Sequence, residues 1–259
     1  MITFAQKEDT EQIKRLWRKT FDDTEEEIEA FLKYYSENIM IYKEDRRVKG
    51  MLSLLPLSLN SEKGRYVYAA ATEPEDRNRG INSKLLEHAY KDVKKKGESF
   101  LLLVPAEKSL YEYYEKRGFA ELCAVKKIEY DRVGFVNKDT SIRKIQPEEY
   151  YEARHEFFSK EKFIEWGRRE IEYIWKIYKG NFFEISNGED VSYAVCDAFE
   201  GLTDIKELFG TVENDECIAA IHGVLTTPHV RAAILSKEAP SAMVYPKKYK
   251  NCFFNLAMD

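Results

Sequence analysis

The sequence predicts an α/β protein with a mixed sheet, built as two successive halves of similar element order. Three observations carry this. Segments that alternate apolar and polar residues interleave with segments of helical period. Hairpin signals join several of the alternating segments. After a break at "GFVNKDT" (134–140) the order of elements begins again.

The elements follow in order. "MITFAQ" alternates as a strand does, and Asp9 with Gln12 reads as a capping box opening the helix "EQIKRLWRKTF". Asp23 and Glu26 repeat that signal before "EIEAFLKYYSE", a helix with Ile28, Phe31, Leu32 and Tyr35 on one face. "IMIYKEDRRVKGMLSLLPLSLN" reads as a hairpin turning at 44–47, and "GRYVYAAAT" as the next strand. The helix "SKLLEHAYKDVKKKG" closes at Gly97, and "SFLLLVPA" is a strand. A short helix "SLYEYYEKRGF" and the strand "AVKKIEYDRV" end this half.

The second half starts with "SIRKIQ" as a strand and Pro147 opening the helix "PEEYYEARHEFF". "EKFIEWGRREIEYIWKIYK" reads as one further helix; its stripe of Trp166, Tyr173, Trp175 and Tyr178 is expected in the core, with an acceptor pocket as the other reading. "NFFEIS" and "VSYAVCDAF" flank the turn "NGED" as a hairpin. "LTDIKELF", the helix "NDECIAAIHGVL", "VRAAILS" and a terminal strand "NCFFNLAMD" complete the reading. The implied domains are residues 1–136 and 137–259.

Composition narrows the classes of function. With 44% hydrophobic and 34% charged residues, and no apolar run near eighteen, the chain reads as soluble rather than membrane-bound. Its first residues lack the pattern of a signal peptide, so the cytoplasm is the expected compartment. The four cysteines show no C-x-x-C spacing and the four histidines no paired pattern, so no metal site is expected. A net charge of -5 argues against nucleic acid as the partner; the lysines of "KDVKKKG" fit a solvated helix end. Oligomeric state leaves no mark in the sequence.

The informative stretch is "YAAATEPEDRNRGINSKLLEHAY" (68–90), a small-residue strand that turns through Gly80 into a helix. The first amides of such a helix have no carbonyl partners and point one way, with the helix dipole behind them. Gly80 permits close approach of an anion, and Arg77 and Arg79 add charge beside it. Ala69, Ala70 and Ala71 leave room alongside the strand. The pattern is neither the nucleotide-triphosphate loop nor the dinucleotide turn.

"TEPEDRNRGINSKLL" resembles the pyrophosphate loop of the GCN5-related N-acetyltransferase (GNAT) superfamily: arginine or glutamine, two residues, glycine, one residue, glycine or alanine. Arg77, Gly80 and Asn82 fall on those places, and "LYEYYEKRGF" resembles the second signature of the family. Asn82 departs from the small residue usual there; the enhanced-intracellular-survival branch, with its tandem acetyltransferase-like halves, tolerates larger ones. Glu107 stands where many members place a coenzyme-binding asparagine.

The resemblance implies a GNAT fold: an N-terminal catalytic half (1–136) binding acetyl-CoA, and a degenerate second half (137–259) without a coenzyme motif. It implies that the amides of Arg77, Asn78, Arg79, Gly80, Ile81 and Asn82 hold the pyrophosphate, with Ser83 also at the coenzyme, while Ala70, Ala71 and Thr72 pair with the pantetheine arm. Tyr114 is implied as the acid protonating the leaving thiolate. For the base, Glu73 after the cofactor strand and the terminal carboxylate of Asp259 are the candidates, beside a water relay. In the second half, Glu213 and Asp215 stand where a phosphate would sit and oppose it. The expected activity is acetyl transfer from acetyl-CoA to a primary amine of a small molecule or peptide. The alternatives are a non-catalytic acetyl-CoA-binding or regulatory module, and a scaffold that binds no coenzyme.

Overall fold

The structure, a computed structural model, describes residues 1–130, 134, 137–249, 252 and 254, with the side chains of 123–125 and 235–241 excepted. In chain order the first elements are β1 (Ile2–Phe4), α1 (Thr10–Thr20), α2 (Glu25–Tyr35), β2 (Ile39–Glu44), β3 (Arg47–Leu59), β4 (Glu62–Thr72), α3 (Ile81–Lys95), β5 (Phe100–Leu103) and α4 (Ser109–Glu115). They continue with β6 (Ala120–Tyr130), β7 (Thr140–Lys144), α5 (Pro147–Phe158), β8 (Ile164–Trp166), α6 (Arg168–Ile177), β9 (Phe182–Asn187), β10 (Asp190–Phe199), β11 (Leu202–Gly210), α7 (Asn214–Leu225) and β12 (His229–Tyr245). The fold is the expected mixed α/β class.

The chain forms two compact units. The first comprises Met1–Ala120 with Met243–Tyr249; the second runs over Glu121–Ala242 and includes Cys252 and Phe254. The division thus falls ahead of the composition break at 134–140, and the first unit takes back a late segment of chain.

In the first unit the strand order is β1-β2-β3-β4-β5, with Met243–Tyr245 beyond β5. Neighbours are antiparallel except β4 and β5, which run parallel across the α3 crossover. Leu52, Leu54, Val67, Leu101 and Leu103 pack on Leu85, Ala89 and Val93 of α3. Val67 and Tyr68 point to opposite faces of β4. On the Tyr68 side Trp17 of α1 and Phe31 of α2 meet its ring at 6.2 and 5.4 Å.

The helix caps differ from those read in the sequence. Asp9 does not box with Gln12; its carboxylate accepts from the Gln6 amide, closing a short turn before α1. Gln12 is free to bind the β2–β3 hairpin, where its Oε1 accepts from the Val48 amide at 3.0 Å. At α2 the cap is Thr24 boxed with Glu27, and Asp23 instead accepts from the Trp17 indole at 2.6 Å. In both cases an adjacent oxygen had a better tertiary donor.

The second unit orders its strands β7-β9-β10-β11-β12, antiparallel up to β11 and parallel between β11 and β12. This repeats, strand for strand and sense for sense, the order β1-β2-β3-β4-β5 of the first unit. Ile185, Cys196, Ile205 and Ala232 meet Cys217, Ile218 and Ile221 of α7 in its core. The expected single helix over 161–179 is broken: Ile164–Trp166 is strand β8, and α6 starts only after Gly167. Ile164 and Trp166 are both buried while Glu165 is less so, a period of two that the spacing of Phe163 and Trp166 had masked. Trp166, Tyr173 and Tyr178 are buried, in agreement with a core role for the aromatic stripe. The expected terminal strand at 251–259 lies outside the described residues apart from Cys252 and Phe254, which are buried. Among the described residues no helix is long and apolar enough to cross a membrane.

Candidate functional site

The site begins with the divergence of two parallel strands. β4 and β5 pair only from Gly64–Phe100 to Tyr66–Leu102. Beyond that, β4 continues to Thr72 while β5 stops at Leu103, so among the described residues the later part of β4 has no partner on this edge. A bulge adds to the separation: Ala69 has φ 48°, and the pairing of β4 with β3 slips a residue between Met51 and Ser53. The backbone groups of Ala70–Thr72 that do not pair with β3 are therefore presented along an open edge, as an extended ligand requires.

The turn after β4 leads directly to the start of α3. Asn78 and Gly80 both have positive φ, 62° and 73°, which folds the chain back tightly enough for Gly80 to cap the helix. A Cβ at Gly80 would meet nothing within 4 Å, so the glycine serves the backbone conformation and the open approach to the amides. The first bond of the helix is Lys84 N to Gly80 O at 3.1 Å, which leaves the amides of Ile81, Asn82 and Ser83 outside the helical ladder. The helix start is held close to the sheet because Gly50 of β3 has no side chain there: a Cβ would lie 2.6 Å from Cγ2 of Ile81.

The two arginines of the turn have different surroundings. Arg79 is engaged by carboxylates, with Nη2 3.0 Å from Glu44 and Nη1 on Asp76. Lys49 joins Asp76 at 2.7 Å; Lys49 first and Arg79 second hold the Asp76 carboxyl below the usual carboxylate range. Arg79 thereby braces the turn. Arg77 is exposed and forms no ion pair among the described residues.

A cavity of about 520 Å³ joins the open edge of β4 to this helix start. Ala70, Ala71 and Thr72 line it together with Arg77, Asn78, Gly80, Ile81, Asn82 and Ser83. Tyr113, Tyr114 and Arg117 close it from α4 and the residues after it. Tyr114 is buried, and burial pushes its phenol up to about 12. Its hydroxyl is therefore protonated at neutral pH and able to donate. A larger groove of about 700 Å³ lies at the β2–β3 hairpin, where Glu8, Glu44 and Asp45 stand beside Lys43 and Arg46 and Lys43 pairs with Asp9.

The sequence-predicted residues separate into three groups. The residues named for the coenzyme, apart from Arg79, line one cavity together with Tyr114. Glu73 does not line it: its side chain is buried, with Oε1 3.1 Å from Arg15 and Oε2 2.7 Å from Lys19, tying α1 to the end of β4. Asp259 lies outside the described residues. Glu107 is exposed, ahead of α4.

Two features were not foreseen from the sequence. The Asn82 amide donates to the Tyr113 hydroxyl at 3.3 Å, while its Oδ1 is buried without a hydrogen-bond partner. Arg117 donates to Ser83 Oγ through Nε at 2.9 Å and Nη2 at 2.7 Å, and stacks on the Tyr113 ring 3.4 Å from its centroid. The "EKRGF" motif contains Arg117, but nothing in the spacing says that it reaches across to α3. At the corresponding turn of the second unit, Glu213 precedes α7 and Asp215 and Glu216 occupy its first turn, the wrong sign for a phosphate.

Comparison with known proteins agrees with the geometry. Residues 1–122 match the family model described as acetyltransferase (GNAT) domain. The likeness to that family model is confined to the first half of the chain. Over 94% of its length the chain resembles a GCN5-related N-acetyltransferase of Anabaena variabilis, at TM-score 0.66 and 16% identity over 72% of that chain. A GCN5-related N-acetyltransferase of Kribbella flavida matches at TM-score 0.66 and 12% identity, covering 94% of this chain and 70% of that one. Eis1 of Mycobacterium abscessus matches at TM-score 0.58 and 8% identity, covering 94% and 73%. At these identities the likeness is one of fold, and it extends through both halves. No curated protein matches the chain.

Proposed function

We propose that the protein transfers the acetyl group of acetyl-CoA to a primary amine of a small molecule or peptide, by direct attack within a ternary complex. The observation that carries the reading is the single cavity in which the open edge of β4, the unpaired amides of α3 and the buried Tyr114 meet. Residues present fit the coenzyme: an exposed Arg77 and free helix amides suit a diphosphate, and a strand edge suits an amide-bearing arm. When bound, acetyl-CoA supplies the activated acyl group.

The rest is done by the chain. Ala70–Thr72 align the arm, and a backbone N–H near Ala71 or Thr72 stabilises the oxyanion formed on amine attack, a contribution of about 3 kcal/mol for one such donor. Tyr114 donates to the departing sulfur; its raised pKa keeps the proton in place until thiolate character develops. Glu73 has both oxygens occupied by cations, so the proton of the amine leaves through water. One coenzyme per chain follows from the acidic start of α7.

The test is calorimetric titration with acetyl-CoA, native and Arg77→Ala, followed by an amine-library acetylation assay. One equivalent bound, weakened about tenfold in the variant, and turnover with an amine sustain the proposal. Binding without turnover on any amine class favours the non-catalytic binding module, and absence of binding removes both.

A further inference from the structure

We infer that Arg117 is a second phosphate-binding residue of the coenzyme site, held in place before the ligand arrives. The inference rests on the acetyl-CoA reading above and adds a residue to it. Arg117 lies just after α4, yet two of its guanidinium nitrogens bind Ser83 Oγ, in the first turn of α3. A third nitrogen, Nη1, donates to the Tyr113 carbonyl at 2.7 Å, and the guanidinium plane rests 3.4 Å from the centroid of the Tyr113 ring. Four contacts thus fix a side chain that would otherwise be among the most mobile in the protein.

The place where it is fixed is unusual for a cation. The first turn of a helix carries the positive end of its dipole, where anions are favoured and cations are not. Arg117 adds its charge to that end, and no carboxylate pairs with it among the described residues. Arg79, by contrast, has both Asp76 and Glu44. A partly buried guanidinium, the amides of Ile81–Ser83 and the exposed Arg77 therefore line one cavity, whose one carboxylate, Asp76, is already held by Lys49 and Arg79. Such an arrangement is costly when empty and complementary to a ligand with more than one phosphoryl group.

Ser83 is the other half of the device. Its hydroxyl also lies 3.1 Å from the Tyr113 hydroxyl, and the Tyr113 hydroxyl in turn accepts from Asn82. The arginine is thus tied to both α3 and α4, and a phosphate bound by it would join the two helices on either side of the cavity. The chemistry recognised is a phosphoryl oxygen; coenzyme A offers one in its diphosphate and one on its ribose.

Titration of the full chain with coenzyme A and with 3′-dephospho-coenzyme A tests this, using native protein, Arg117→Gln, Arg117→Lys and Ser83→Ala. Arg117→Gln retains a donor for Ser83 but loses the charge; it is expected to weaken coenzyme A about tenfold or more, with Arg117→Lys intermediate. The penalty persists with the dephospho form if the contact is to the diphosphate and vanishes if it is to the ribose phosphate; either result sustains the role. In turnover the KM for acetyl-CoA rises while kcat holds, because Arg117 binds away from the reacting sulfur. Ser83→Ala, which spares the charge, loosens binding less. Native affinity in a folded Arg117→Gln protein overturns this inference alone. Failure of the native chain to bind coenzyme A overturns the acetyl-CoA reading and this inference with it.

Discussion

Nζ of Lys19 stands 2.7 Å from Oε2 of Glu73, and the other oxygen of that carboxylate lies 3.1 Å from Arg15. The residue that follows β4 is therefore a tie between α1 and the end of that strand. The carboxylate is only 5% exposed, but both cations are 41% or more exposed and stay solvated when it is removed. Glu73→Gln is expected to cost about 1 kcal/mol of stability, the scale of a partly screened ion pair. Turnover stays within a few-fold of native. Urea denaturation and steady-state kinetics on the same variant decide it, since a general base in that position loses about a hundredfold or more in rate.

Gly50 and Ile81 are the closest approach of sheet and helix at the site. A Cβ on Gly50 would lie 2.6 Å from Ile81 Cγ2 and 3.2 Å from the Ala71 carbonyl oxygen. Its two nearest obstacles are the first residue of α3 and a carbonyl of β4. Gly50→Ala must move α3 outward, with an overpacking cost of about 1–3 kcal/mol. Coenzyme affinity is expected to fall in parallel, read by calorimetry, although residue 50 touches no ligand. Unchanged affinity with lowered stability separates the position of α3 from coenzyme binding.

Tyr114 yields a prediction about pH. Burial raises its pKa from the ordinary 10.0 to about 12, so the folded state favours the protonated phenol. The associated stability is whole below pH 10 and is lost as pH rises from 10 towards 12. Across pH 6 to 9 no limb of the rate profile belongs to this residue. Tyr114→Phe is expected to lower kcat about 10²-fold or more, while the acetyl-CoA affinity is retained. Ultraviolet titration of tyrosinate in native and Tyr114→Phe proteins tests the first claim, and single-turnover acetylation the second.

Much of the first unit was legible because its signals are local. The turn at 77–80 is written in residues that are adjacent in the chain: an exposed arginine, a glycine at positive φ, and then a helix. The helix that carries Tyr114 was readable from its own residues, and the structure brings Tyr114 to the same cavity as that turn. The sequence does not say that Arg79 is neutralised by Glu44, thirty-five residues away, or that Arg117 crosses to Ser83; both depend on distances between elements. The caps at α1 and α2 were misread for the same reason: Gln12 and Asp23 had tertiary partners in Val48 and Trp17 that outcompete a local oxygen. Strand β8 was read as helix because three apolar residues at 163, 164 and 166 satisfy both periods, and only burial separates them.

The return of Met243–Tyr245 to the first unit was also not legible, since "AMVYP" says nothing about which strand it joins. Its partners are Leu103, Leu102 and Leu101 of β5, antiparallel, so it covers the edge that β5 would otherwise expose beside the cavity. Tyr245 is the anchor. Its ring meets Tyr90 edge-on at 4.5 Å and Phe119 at 5.5 Å, and a Cβ on Gly118 would lie 2.8 Å from it. Tyr245→Ala removes an aromatic packed on both α3 and the segment after α4, and is expected to cost about 3 kcal/mol. Tyr245→Phe keeps the ring contacts and is expected to lie within about 0.5 kcal/mol of native. In a Trp166→Phe/Trp175→Phe background, denaturation followed by the remaining Trp17 reports the first unit alone. The midpoint of that transition falls in Tyr245→Ala if the late segment stabilises the first unit; an unshifted Trp17 transition assigns the segment no such part.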